Sequence, residues 1–203
     1  MKLAFPLIGI MTIFFGCSCK NNSPSINNSN IKKTELVNAL IEIPSGSVEK
    51  WELNKTNNKI ERDSINNQPR TINYLGYPAN YGIIPNTLLP KNKGGDGDPL
   101  DILVLGPQLK RGSLVECTII GVLHLLDSDE KDDKLIAIAN SSSLNKIKTL
   151  EELNQNHKGI TEIIETWFCN YKGKATVKSL GYENKEKALN ILEISIDEYN
   201  LAH

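Results

Sequence analysis

Asp96-Gly97-Asp98-Pro99-Leu100-Asp101 runs directly into Ile102-Leu103-Val104-Leu105, an acidic cluster followed without a break by an apolar strand candidate. Three carboxylates this close repel one another, and crowding them raises the free energy unless a cation neutralises them. Hard divalent cations favour such oxygen-only sites. Gly97 removes a side chain between two of the acids and lets the loop bend, and Pro99 stiffens it. The strand behind the loop sets Asp101 on a rigid scaffold. A calcium-binding EF-hand is a rival reading, and it fails. Counting from Asp96, the fifth, sixth and twelfth positions are Leu100, Asp101 and Pro107, where that loop requires an acid, a glycine and a glutamate. An arbitrary acidic turn is usually just solvated, so the weight falls on what surrounds it.

Outward from this point, the chain reads as closely spaced strands broken by Gly and Pro. The candidates are Leu36–Ile43, Val48–Leu53, Lys59–Glu61, Thr71–Tyr74, Ile102–Leu105, Leu114–Ile120, Val122–Leu126 and Lys134–Ala139. The pattern changes near residue 149. Leu150, Leu153, Ile160, Ile163, Ile164, Trp167 and Phe168 recur at helical spacing, with Gly159 as a weak point. A second helix is predicted from Asn184 to Tyr199, with Asn184 as its cap. These apolar residues are core. The expected architecture is a β-barrel with helices in one α+β domain.

Other polar groups gather around the acidic loop in sequence. Asp127 to Lys134 is a second acidic cluster placed after a strand candidate. Tyr77-Pro78-Ala79-Asn80-Tyr81-Gly82 offers phenol hydroxyls. In Lys50-Trp51-Glu52, strand alternation puts Lys50 and Glu52 on one face. Glu42-Ile43-Pro44 and Asn170-Tyr171-Lys172 complete the set. Each is weak alone. His124, His157 and His203 are scattered and read as surface or packing residues.

The bulk numbers bound the rest. The 203 residues suit one domain with tails, and 39% hydrophobic content supports a packed core. A net charge of −1 argues against nucleic-acid binding by bulk positive charge. Lys2 followed by an apolar run from Leu3 to Gly16 has the layout of a secretory signal, and Gly16-Cys17 resembles the end of a bacterial lipoprotein signal. Cys19 competes with Cys17 as the lipid acceptor. Residues 1–19 are therefore read as the signal, the polar stretch 20–34 as a flexible tether, and 35–203 as the folded domain. This predicts export and a lipid-anchored protein touching the membrane only through its N-terminus. Cys117 and Cys169 are open to either reading, a disulfide in an oxidising compartment or two buried thiols.

Taken together and in this order, these residues resemble the soluble family I inorganic pyrophosphatases. The resemblance runs from about Leu36 to the C-terminus. Its specific core is Asp96 to Asp101, flanked by Tyr77–Gly82, Gly121-Val122-Leu123, Asp127 through Lys134 and Trp167 through Lys172. It implies a twisted five-stranded barrel of the OB type with helices packed outside. It also implies hydrolysis of pyrophosphate by a metal-activated water, with several Mg2+ ions per site and a homo-oligomeric assembly. Under the resemblance Asp96, Asp101 and Asp132 hold the tightest metal, and Asp101 bridges to a second. Asp127 joins Asp132 at a third, and Glu42 helps a fourth that arrives with substrate. Asp98 is implied as general base, with Tyr81 in the hydrogen-bond network of the attacking water. Lys50, Lys134, Tyr171 and Lys172 are implied phosphate ligands, and Glu52 and Tyr77 line the site. The family carries an arginine shortly before the tyrosine motif. Direct spacing from Glu52 lands on Ser64, whereas spacing back from Tyr77 lands near Arg70. Arg70 is the expected residue if the turn at Asn66–Pro69 is longer, with Arg62 as the alternative. Two rivals are a cation-binding protein of the same fold without turnover, and a phosphohydrolase of nucleotides or polyphosphate.

Overall fold

The computed structural model describes Met1 and residues 35–203. Apart from Met1, the expected signal and tether, with the candidate acceptors Cys17 and Cys19, lie outside the described residues. The elements in chain order are β1 (Leu36–Ile43), β2 (Trp51–Asn54), β3 (Lys59–Arg62), β4 (Ser64–Ile65), β5 (Gln68–Pro69), β6 (Asn80–Ile83), β7 (Asp101–Leu105), β8 (Leu114–Asp127), β9 (Glu130–Lys131), β10 (Lys134–Ala139), α1 (Leu150–Asn156), α2 (Ile160–Asn170), β11 (Val177–Asn184) and α3 (Lys185–Ala202).

β1 pairs with β6, β6 with β7, β7 with β10, β10 with β8, and β8 back with β1. Five strands thus close into a ring, antiparallel except at β7–β10. β9 and β11 extend the sheet from β8. This is the expected α+β architecture, an OB-type barrel with helices outside it.

The barrel wall is buried on both sides, which explains its nearly continuous apolar strands. Leu103, Leu105, Ile136 and Ile138 pack in one cluster with Trp167 and Phe168 of α2. Their alternates Ile102, Val104, Leu135 and Ala137 pack in another with Ala188, Leu189 and Leu192 of α3. β8 serves both clusters through a bulge. Ile136 faces Gly121 and Ala137 faces Ile119, which leaves Ile120 over. Cys117 and Ile119 therefore join the α3 side before the bulge, and Val122 joins it after. The expected pair of strands, 114–120 and 122–126, is one long strand bulged there, so no turn divides it.

Other expectations need correction. Thr71–Tyr74 is not a strand. Only Thr71 bridges, to Glu49, and the chain then peels away so that the Leu75 carbonyl accepts the Trp167 indole N–H at 2.8 Å. The strand expected from Val48 begins at Trp51. The first helix is two, because Gly159 adopts φ +93°, a left-handed conformation that ends one helical path and caps the next. β6 and β11 were not expected as strands. β11 carries Gly181 at φ +92° and a bulge between Ser179 and Gly181, so it shows no clean alternation. α3 begins as predicted, with the Asn184 side chain accepting the Lys187 N–H at 3.0 Å. Cys117 and Cys169 are free thiols, and burial pushes the Cys117 thiol up to about 12. No helix among the described residues is long and apolar enough to cross a membrane.

Candidate active site

One end of the barrel opens into a cavity of about 230 Å³. Its carboxylates come from separate elements. Glu42 stands near the end of β1 and Glu52 in β2. Asp96 and Asp98 lie in the loop before β7, and Asp101 opens that strand. Asp127 ends β8, and Asp132 precedes β10. Lys50, Lys134 and Lys172 face them, together with Tyr77, Tyr81 and Tyr171. Every residue expected at the site lines this cavity except Arg70.

The acidic loop is built as its sequence suggests. Asp96 accepts the Asp98 N–H at 2.9 Å, and Gly97 between them turns at φ +92° with open space around its Cα. Asp101 is thereby delivered inward while Asp98 stays half exposed. The ammonium of Lys134, only 3% exposed, donates to both Asp101 and Asp132. Burial alone would pull that ammonium down, yet the two carboxylates hold it well above its usual range. Burial also raises Asp101, countered by the Lys134 charge and by the Tyr81 hydroxyl.

Glu42 is 3% exposed and accepts the Leu53 N–H at 2.7 Å. Burial pushes its carboxyl up to about 8; the Leu53 bond opposes the rise, and nearby Asp101 and Glu52 add to it. Burial first, then neighbouring negative charge, raises the Tyr81 phenol, so it stays a donor. Tyr171 stacks on Trp167 at 4.5 Å and 11°, and Tyr77 packs on the same indole at 4.6 Å. An aromatic wall thus fixes two of the phenols. Lys172 pairs with Asp127, and Lys50 with Glu52.

Arg70 and Arg62 part company here. The Arg70 guanidinium pairs with Asp63 at 3.0 Å and acts electrostatically on Tyr77 and Tyr171. Arg62 pairs with Glu49 at 2.9 Å and lies 5.9 Å from the centre of the Trp51 ring. Asn80, grouped in the sequence with the tyrosines, is fully buried and structural. It bonds Ser45 N, Leu109 N, Val104 O and Pro107 O. The histidines stay outside the cavity. His124, for example, lies between Asp133 at 2.8 Å and Glu183 at 3.2 Å.

Sequence reasoning missed Lys55, which lines the cavity and pairs with Asp98. Strand alternation from Lys50 leads to Glu52 and Asn54. Lys55 follows the end of β2, where that period no longer applies. Asp63 was missed too, and it stands between Arg70 and, at 4.0 Å, Lys50.

Among the described residues, no three His, Cys, Asp or Glu side chains gather around a single point as a finished metal cage. The donor chemistry nonetheless fits hard divalent cations, because Asp96, Asp98, Asp101, Asp127, Asp132 and Glu42 present only oxygen. Lys134, Lys172 and Lys55 take up part of that negative charge in this arrangement.

A family model described as inorganic pyrophosphatase matches residues 39–200. The inorganic pyrophosphatase of Campylobacter jejuni is 36% identical over 184 residues, covering 86% of this chain and 99% of the relative. That of Xanthomonas axonopodis is 37% identical over 172 residues, covering 82% and 90%. The solved structure of the Helicobacter pylori inorganic pyrophosphatase superposes with a TM-score of 0.71 at 34% identity, covering 82% of this chain and 94% of that one.

Proposed function

The chain belongs to the inorganic pyrophosphatase family, and we propose that it hydrolyses pyrophosphate to two phosphates in this cavity. The observation that carries the reading is the convergence of carboxylates from β1, β7, β8 and the loops before β7 and β10 on Lys50, Lys134 and Lys172 across one space. Pyrophosphate is a compact polyanion. A site for it needs cationic groups at fixed positions and a base beside the attacking water.

In this reading Asp96, Asp101, Asp127, Asp132 and Glu42 hold the divalent cations, Mg2+ in the first instance. Such cations would neutralise substrate charge and make the attacking water more acidic. The chain's own groups supply the remaining functions. Lys50, Lys134, Lys172 and Arg70 bind phosphate oxygens as fixed cations. Tyr171 and Tyr77 add hydroxyl donors held in place by Trp167. Tyr81, kept protonated, orients the water by hydrogen bonding. Asp98, half exposed at the cavity edge, accepts its proton. Glu52 holds Lys50.

Export as a lipoprotein anchored at Cys17 or Cys19, and assembly of several copies, are further parts of the proposal. They rest on the leader sequence and on the family resemblance. The activity test is phosphate release from pyrophosphate with Mg2+ and with a chelator. Release only with Mg2+ supports the reading. No release in either sinks it, and release from nucleoside triphosphates but not pyrophosphate replaces it with a different phosphohydrolase.

A further inference from the structure

β2 and β3 form a two-stranded sheet of their own, outside the barrel's hydrogen-bonded ring. Yet this hairpin, with the residue before it, supplies Lys50 and Glu52 to a cavity whose other walls come from the barrel, its loops and the end of α2. Something must hold the hairpin in register with the barrel. One link is inside the cavity, where Glu42 accepts the Leu53 N–H. A second is the Lys55–Asp98 ion pair, and a third is on the far face. Trp51, between Lys50 and Glu52, points away from the cavity by strand alternation. The Arg111 guanidinium lies 4.1 Å from the centre of its ring, and Arg62 lies 5.9 Å from it. Glu49 completes the cluster. It accepts the Trp51 indole N–H at 3.0 Å and pairs with Arg62 at 2.9 Å and Arg111 at 3.5 Å.

Arg111 alone in this cluster comes from the barrel side, in the loop between β7 and β8. That loop is itself tied to β1, since Gly112 N–H donates to the Ile41 carbonyl at 2.7 Å. The Arg111 Nε–H donates to the Glu42 backbone carbonyl at 3.1 Å. One side chain thus grips the backbone of a cavity carboxylate and the ring that separates two other cavity residues. None of its atoms lines the cavity. We propose that Arg111 is a positioning residue: it clamps Trp51 so that Lys50 and Glu52 are held at a fixed distance from Glu42. Planarity is essential to this role. A guanidinium can stack on the indole and bond a carbonyl at its edge, whereas a lysine ammonium supplies charge without the flat face.

The kinetic arm of the test rests on the pyrophosphatase reading; the exchange arm does not. The full chain carries Arg111→Ala, Arg111→Lys or, separately, Trp51→Leu. Exchange at the Leu53 amide reports hairpin docking, and exchange across β8 reports the barrel. Loss of the clamp speeds Leu53 exchange about tenfold and leaves β8 protected. The KM for pyrophosphate rises about tenfold, with kcat changed less, because misplaced binding groups weaken substrate capture. Arg111→Lys resembles Arg111→Ala in both readouts. Unchanged Leu53 exchange in Arg111→Ala overturns the proposal. So does full rescue by lysine, which would reduce the role to charge alone. Equal loss of protection in β8 also overturns it, since Arg111 would then be serving general stability. Should Arg111→Ala not fold, Trp51→Leu and Arg111→Lys decide by the same exchange criteria. A wild-type chain inactive on pyrophosphate sinks the hydrolysis reading and leaves the exchange arm to decide the clamp.

Discussion

Arg70 takes up the strand register that Asp63 leaves. Its N–H donates to the Asp63 carbonyl at 2.7 Å, and its guanidinium meets the Asp63 carboxylate at 3.0 Å. Between them Ser64 to Pro69 fold out as the small hairpin of β4 and β5. This excursion reconciles the two ways of counting. Spacing from Glu52 reaches Ser64 because it ignores the hairpin, and beyond the hairpin the chain resumes at Arg70, whose carbonyl accepts the Lys50 N–H at 3.2 Å. Arg70→Ala is therefore expected to lower kcat/KM for pyrophosphate about 10²-fold, the scale of losing one fixed charge donor. Arg62→Ala is expected to cost less than about tenfold, through its contact with Trp51. Steady-state kinetics on the two variants check this, and the reverse order would move the substrate arginine to position 62.

Asp98 and Lys55 form an ion pair at the cavity edge, with both side chains about half exposed. An exposed pair contributes little to stability, so either partner can be changed without unfolding the chain. Asp98→Asn is expected to retain the circular dichroism spectrum and lose about 10²- to 10⁴-fold in kcat, the usual scale for a removed general base. Lys55→Ala is expected to stay within about tenfold of wild type. Near-normal turnover by Asp98→Asn would assign the base elsewhere.

The folded core was legible where one physical rule acted alone. β7 and β10 read directly because both of their faces are apolar, and Asn184 read as a cap because its side chain has a single local partner. Of the cavity carboxylates, Asp96, Asp98 and Asp101 stood out in the sequence by their crowding, whereas Glu42, Asp127 and Asp132 were singled out only by the family resemblance. Legibility failed where tertiary contacts overrode local pattern. β8 looked divided at Gly121, but Leu150 occupies the place a side chain there would take, so the glycine serves packing rather than a turn. Lys55 fell outside strand alternation, and Arg111 had no motif at all. Its partners, Glu42 and Trp51, are brought together only by the fold.

Lys134 holds Asp101 and Asp132 together from a buried position. Lys134→Met would leave two carboxylates facing each other without their counter-charge. In chelator the variant is expected to lose about 3–5 kcal/mol, the range for breaking a buried pair. Divalent cations are expected to restore part of that loss by binding the same carboxylates in the folded state. Urea denaturation with and without Mg2+ measures both effects. A Mg2+ stabilisation no larger in the variant than in wild type would remove Asp101 and Asp132 from the cation site.

Glu42 gives the fold a pH dependence of definite sign. Burial holds its carboxyl at about 8, against an ordinary value of 4.5. Below pH 4.5 both the folded and the unfolded chain keep the proton, and this residue imposes no penalty. Between 4.5 and 8 the unfolded chain has lost a proton that the folded chain retains, so stability falls as the pH rises through that window. Each pH unit within it costs on the order of 1.4 kcal/mol, and above 8 the loss is complete. Glu42→Gln keeps an oxygen to accept the Leu53 N–H and removes the titration. In chelator its stability relative to wild type is therefore expected to grow from pH 5 to pH 8 and then level off. Added Mg2+ is expected to shrink that advantage, because a cation bound at Glu42 favours the ionised carboxylate and only the wild type can provide it. Denaturation midpoints across this pH range, with and without Mg2+, test both statements. A stability difference independent of pH would mean that Glu42 is not held protonated by its burial.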